Sequence, residues 1–360
     1  MNAIHIKYPA LTIKAGKRAL ARIRERGLRP EDVSTIPGAA GGPKPLGLQG
    51  LDIALFGDWL ARAPRERTLI GASIGSWRFA SACLPDPVDG LRRLGELYTG
   101  LRFNKSSTLA DVSRTCSDML HQLLQGQDGA ILANPHYRLN VMVVKSLGLL
   151  QHDHRGLLAL GLSSVIGRNL LSRSQLSHHF ERVILHDPRL APPLTPLTDF
   201  PSRTLGLNQE NLRHALLASG SIPMVMQGIR DIPGVGTGTY RDGGLLDYHL
   251  DLPYDGSGLV LYPHFTDRVI PGWFDKMTPW RRADTQRLTD VVLVTPSPEY
   301  LAKLPNGKLP DRRDFRRYLG DDATRERLWK HAIKESQRLG DDFLHLTEDS
   351  RLVDRLQPLN

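Results

Sequence analysis

The sequence predicts an α/β fold: a mostly parallel central sheet covered by helices on both faces, three layers in all, with a helical C-terminal extension. Strand-like and helix-like segments alternate along most of the 360 residues. A short β-prone run, residues 33–36, and a short apolar run, residues 68–70, pass through glycine-rich turns straight into helix-like stretches. Composition agrees: 40% of residues are hydrophobic and 24% charged, in a chain long enough to bury a large core. The expected organisation is a basic helical segment over residues 1–30, the α/β domain over 31–300 and the helical extension over 301–360.

Residues 13–28 carry Ile13, Leu20, Ile23 and Leu28 among lysines and arginines, which predicts a basic helix packed on the core or lying on a membrane surface. Gly27 and Pro30 end it, and the first core strand follows. A helix is expected over 46–60 and another over 76–83, the latter stopped by Pro85 and Pro87. Residues 88–99 and 108–125 place apolar side chains at helical spacing. Buried strands are expected over 139–144 and 181–186. Between them, the leucine-rich stretch 151–175 fits no single element, and a lid or an acyl-chain wall is one role for it. Asn208 suits the N-cap of a helix over 209–218, although Asn211 three residues on matches a capping box poorly. Residues 259–262 and 291–295 read as the last strands. Between these, the segment 268–282 sets Trp273, Phe274, Met277 and Trp280 among basic residues; it reads as a buried loop or as a contact with lipid headgroups. The last stretch, 311–356, is charged and helix-prone.

Charge and cysteine usage narrow the partners. Lys and Arg number 47 against 38 acidic residues, a formal net charge of +9, which favours anionic surfaces. Zinc-ligand spacing and an RNA-binding aromatic signature are missing, so nucleic acid is not expected as a partner; an anionic membrane surface is a candidate for peripheral contact. No apolar run approaches the roughly 20 residues that a membrane span requires. The first ten residues lack a basic-then-apolar leader pattern, and Cys83 and Cys116 fit neither a CxxC pair nor a disulfide framework. A reducing cytoplasm is the expected compartment.

Three stretches carry chemistry. Gly71-Ala72-Ser73-Ile74-Gly75 follows a β-prone run and precedes a helix, the layout of a nucleophile elbow. Strand and helix close together there leave no room for side chains at Gly71 and Gly75, and the helix N-terminus favours negative charge beside the serine. Upstream, Gly38-Ala39-Ala40-Gly41-Gly42-Pro43-Lys44 exposes backbone N–H groups that can converge on an anion; it has neither the spacing of a nucleotide phosphate loop nor that of a dinucleotide fingerprint. Far downstream, Arg241-Asp242-Gly243-Gly244 sets a carboxylate before two glycines, which in isolation is an ordinary turn signal.

Taken together and in this order, the three resemble the patatin-like phospholipase family. Its Gly-Gly-Gly-x-Arg/Lys-Gly loop is matched by Ala40-Gly41-Gly42-Pro43-Lys44-Pro45, and its Ala-Ser-x-Ala-Ile-Pro segment by Ala218-Ser219-Gly220-Ser221-Ile222-Pro223. The resemblance spans residues 33–253. It departs after the aspartate, where the family tends to have asparagine and then proline and this chain reads Asp247-Tyr248-His249-Leu250, at a strand the resemblance would place on the substrate side.

What the resemblance implies is a two-residue Ser–Asp dyad. Ser73 would attack an acyl ester of a lipid or smaller molecule and Asp242 would take its proton, with no histidine, metal or cofactor. Unperturbed, a carboxylate has a pKa near ~4, so desolvation must raise it for the proton transfer to work. The N–H groups of Gly41 and Gly42, with that of Ile74, are the oxyanion donors; Pro43 has none to give. Lys44 either steers an anionic headgroup or pairs with a surface acid, the second being the expected role. Two other readings stand: an α/β-hydrolase triad using His249 or His264, which follow Asp242 in the required chain order, and a catalytically silent lipid-binding module. Against the triad, a single strand is expected before the elbow, where that fold builds several.

Overall fold

The computed structural model describes residues 9–349 and 352–359; the leader expectation falls, up to residue 8, outside them. Strands form at the expected apolar runs and extend a residue or two beyond them. In chain order they are β1 (Leu11–Ala15), β2 (Val33–Gly38), β3 (Arg67–Ala72), β4 (Tyr137–Ser146), β5 (Phe180–His186), β6 (Ser202–Gly206), β7 (Ile229–Arg230), β8 (Thr239–Asp242), β9 (Leu259–Pro263), β10 (Val291–Pro296) and β11 (Leu356–Pro358). All join one sheet in the order β11-β1-β10-β9-β2-β3-β4-β5-β6, with β8 added to β4 and β7 to β8. Pairing is parallel from β10 through β9, β2 and β3 to β4. It turns antiparallel where β5 and β8 join β4 and where β1 joins β10.

Successive residues of the central strands enter opposite cores, as the two-residue period of a strand requires. Leu69, Val141 and Val143 face a large cluster shared with Ile74, Trp77 and Phe79 of the helix Ile74–Ala82. Ile70, Ala72 and Met142 face a smaller one with Tyr248, Leu250 and Leu252. The stretch 151–175 forms a helix, Arg155–Leu171, whose Leu158 and Val165 pack with Val144, Leu246 and Phe274 in a third cluster. The expected three-layer α/β/α arrangement is the one observed.

Three local expectations are corrected. Ile13 lies in β1, not in a helix: Leu11, Ile13 and Ala15 alternate with half-buried residues, so the segment is a strand and the helix runs only from Lys17 to Arg26. Two strands therefore precede the elbow strand. The helix expected over 209–218 is Leu212–Gly220, yet Asn208 and Asn211 do exchange bonds: Asn211 N–H donates to Asn208 Oδ1 at 3.0 Å and Asn208 N–H to Asn211 Oδ1 at 2.8 Å. These reciprocal bonds close the turn that leads into the helix, whose own N-cap, Asn211, makes no side-chain cap bond.

Neither terminal segment stands apart from the sheet. β1 pairs with β10 and, on its other edge, with β11 from the extension. The C-terminal helix Gln337–Glu348 crosses the helix Gln49–Ala54 so closely that a Cβ on Gly340 would lie 2.5 Å from Gly50 O. Among the described residues no helix is long and apolar enough to cross a membrane.

Candidate active site

β4 is the ruler on which the site is measured. β3 pairs with its first half, ending with Ala72 opposite Met142. β8 approaches the same edge from the other direction and ends with Asp242 opposite Val143, the next residue along. The two strands therefore abut end to end, and the residue after Ala72 must meet the last residue of β8. Ser73 Oγ donates to Asp242 Oδ2 at 2.7 Å.

The turn at Ser73 has the strain expected of an elbow, with φ 57° and ψ −129°, a conformation L-residues rarely adopt. Both flanking glycines are sterically required. A Cβ on Gly71 would lie 2.5 Å from Ser76 Cα, and one on Gly75 would lie 1.9 Å from Gly38 O. Gly75 is thus demanded by the end of β2 as well as by its own turn. Gly243 and Gly244 are equally confined: added Cβ atoms would meet Met142 O at 2.3 Å and Ala40 Cβ at 2.5 Å.

Ser219 went unassigned in the sequence, yet it ties the elbow in place. Its Oγ accepts the Ser73 N–H at 2.8 Å and donates to Met142 O at 2.7 Å. Two residues on, Ser221 O accepts the Asp242 N–H at 3.1 Å. The segment Ala218-Ser219-Gly220-Ser221 therefore braces both members of the pair through their backbones. Its place within a recurring motif was the only sequence signal.

Asp242 is 5% exposed. Loss of solvation drives its carboxyl pKa up to about 6, against the lowering effects of the Ser73 hydroxyl and the Gly244 N–H, which donates to Oδ1 at 2.8 Å. Its electrostatic surroundings include Arg312 and Lys276, both favouring the ionised form.

The loop after β2 brings Gly42, but not Gly41, to the cavity that Ser73 lines. Among the described residues the N–H groups of Gly41 and Gly42 donate to no acceptor, and Gly42 adopts φ 59°. Ile74 opens the helix, where N–H groups have no intrahelical partner. Gly42 and Ile74 line a cavity of about 470 Å³ with Ser73; Gly41 packs on Phe265, whose ring would be 2.5 Å from an added Cβ. Trp77, Tyr98, Val112, Ile222 and Phe315 give the cavity an apolar wall, and Arg155, Arg312, Arg313 and Arg316 add cations to it. Lys44 does not pair with a surface acid. Its Nζ sits 4.9 Å from the centre of the Phe265 ring and it forms no salt bridge among the described residues.

The histidines of the triad reading lie elsewhere. His249 Nδ1 accepts the Ile270 N–H at 3.0 Å, His264 Nδ1 lies 2.8 Å from Thr266 O and 3.0 Å from Thr266 N, and the two rings meet edge to face at 4.3 Å. Both are fully buried, which holds their pKa values below the usual histidine range. Neither hydrogen-bonds Ser73 or Asp242. Asp247, where the chain departs from the family pattern, is buried in a two-bond pair with Arg182 of β5, both bonds 2.7 Å long; it does not face the cavity. Among the described residues no cluster of three or more His, Cys, Asp or Glu is disposed to hold a metal.

Comparison with protein-family models, curated proteins and solved structures yields no match.

Proposed function

We propose that this chain is a serine acyl hydrolase of the patatin-like kind, cleaving acyl esters through Ser73 and Asp242. What carries the reading is the 2.7 Å bond from Ser73 Oγ to Asp242 Oδ2 beside an apolar cavity. Ser73 Oγ attacks the ester carbonyl as its proton passes to Asp242, and the tetrahedral oxyanion takes the N–H groups of Gly42 and Ile74, with Gly41 beside them. Asp242 returns the proton to the leaving alkoxide. Water then attacks the acyl-enzyme with Asp242 again as base. Ser73 N–H, already bonded to Ser219, is not among the donors.

Supporting the dyad over the triad is the absence, among the described residues, of a histidine from the side-chain hydrogen-bond partners of Asp242, which are Ser73 and Gly244. The test is labelling by a fluorophosphonate probe together with hydrolysis of a panel of acyl esters. Both should occur in the native protein and vanish in Ser73→Ala; a native protein that takes no label and cleaves no ester, yet binds fatty acid, is the silent lipid-binding module instead.

A peripheral contact with anionic membranes accompanies this function. Trp280 is 69% and Leu171 84% exposed, and Arg281 joins their two segments by donating to Asn169 Oδ1 and O at 3.0 and 2.9 Å. Trp273 is not part of that contact, being half-buried against Phe274 beneath Lys276. Two buried free thiols, Cys83 and Cys116, support a reducing cytoplasm as the compartment.

A further inference from the structure

We propose that the serine site selects esters bearing an anionic group close to the scissile carbonyl, and that the C-terminal extension supplies the selecting charge through Arg312. The inference rests on the acyl-hydrolase reading and adds a substrate class to it.

Three basic residues from separate parts of the chain lie near one another: Arg312 lines the cavity with Ser73, Arg312 and Lys276 act on the Asp242 carboxylate, and Lys44 acts on Lys276. Arg312 lies against the oxyanion turn: its Nε and Nη2 are 3.6 and 3.8 Å from where a Cβ on Gly42 would stand. Lys276 Nζ sits 4.0 Å from the centre of the Tyr248 ring and 5.1 Å from that of Trp273, and Tyr248 in turn adjoins Gly244. Lys44 sits over Phe265. None of the three forms a salt bridge among the described residues. The fully buried Arg78, Arg182 and Arg241 each hold a carboxylate, whereas Lys44 and Arg312 are half-buried and Lys276 is exposed, open to an anion from solvent.

The acids near this cluster are Asp242, committed to Ser73 and Gly244, and Asp311. Asp311 is engaged locally, accepting the Arg313 N–H at 2.8 Å and lying 4.0 Å from Lys308. Loss of solvation, and after it the charges of Lys44 and Arg312, bring the Lys276 ammonium pKa down to about 7, so an anion bound there would also restore its full charge. A group of mutually repelling, partly desolvated cations is stabilised by one anion. Arg313 and Arg316 continue the positive strip along a cavity that is otherwise largely apolar. An acyl chain in the cavity and an anion on Arg312 would bracket the carbonyl at Ser73. The recognised group is an oxyanion, either a phosphate or a carboxylate.

The experiment compares three esters of one acyl chain: the 1-acylglycerol, its phosphate, and the acyl ester of glycolic acid. The native protein should favour one or both anionic esters in kcat/KM by about tenfold or more, and Arg312→Gln should lose most of that ratio, chiefly through KM. Preference for the phosphate alone identifies a phosphate site, and equal preference a general oxyanion site. No preference in the native protein overturns the proposal, as does an Arg312→Gln variant that slows all three esters alike, because that pattern belongs to a charge acting on the base or the oxyanion. Should Arg312→Gln fail to fold, Lys276→Gln is read the same way. Calorimetry of glycerol 3-phosphate with Ser73→Ala separates the two readings. Binding without ester cleavage or probe labelling in the native protein leaves the anion site and removes the hydrolase; cleavage without preference or binding removes the anion site alone.

Discussion

Asp242 must be buried enough to be a useful base and ionised enough to act as one. Loss of solvation lifts its pKa to about 6, so kcat/KM should fall below about pH 6 as the carboxylate takes up a proton. The same shift bears on stability. With the folded pKa above the ordinary value of 3.8, protonation favours folding; that contribution is complete below about pH 4 and is lost as the pH rises through about 6. A shift of this size corresponds to roughly 3 kcal/mol. Asp242→Asn, which mimics the protonated acid, should therefore abolish turnover yet raise the Tm at about pH 8, the gain shrinking towards about pH 4. An unchanged or lowered Tm at the higher pH would mean that the ionised carboxylate is not strained by its surroundings.

Elements rather than single residues bring Ser73 and Asp242 together, and a buried ion pair holds the chain just beyond the aspartate. Arg182 of β5 holds Asp247 through two bonds, with Asp199 as a further partner at 2.7 Å. Arg182 is 1% and Asp247 2% exposed. Removing one member of such a pair leaves an uncompensated buried charge, which costs about 3–5 kcal/mol. Arg182→Met should lower the unfolding free energy by about that amount in denaturant titrations, and adding Asp247→Leu should restore much of it. A loss below about 1 kcal/mol in the single variant would show that Asp247 reaches water.

The molecule as a whole carries a formal charge of +9, so anionic vesicles should bind it and neutral ones should bind it less. Added salt should weaken that binding, since screening shortens to about 10 Å at 0.1 M. Trp280→Ser combined with Leu171→Ser should cut sedimentation with anionic vesicles several-fold while Trp273→Ser leaves it unchanged; equal sedimentation of the double variant would place the contact elsewhere. At this scale it becomes plain how much was written in the chain. Residues 33–36 and 68–70 announced β2 and β3 because short β-branched and apolar runs bounded by glycine turns favour extended backbone locally. Gly71, Gly75, Gly243 and Gly244 marked their turns because close backbone approach leaves only hydrogen. Ser73 was named from its own elbow pattern, but Asp242 only from the order in which the three glycine-rich motifs resemble a family pattern. Other features depend on distant partners. Ile13 reads equally well on a helix until β10 and β11 pair with its strand. Asp242 reads as a solvated turn until the register of β4 sets it against the end of β3. Nothing around Arg312 points to Gly42, and nothing around Ser219 points to the Ser73 N–H. Local pattern determined which backbone shapes and reactive groups this chain has, because those follow from sterics within a few residues. Tertiary structure alone decided which groups meet, because strand register and the face each side chain enters are fixed only when separate segments compete for the same core.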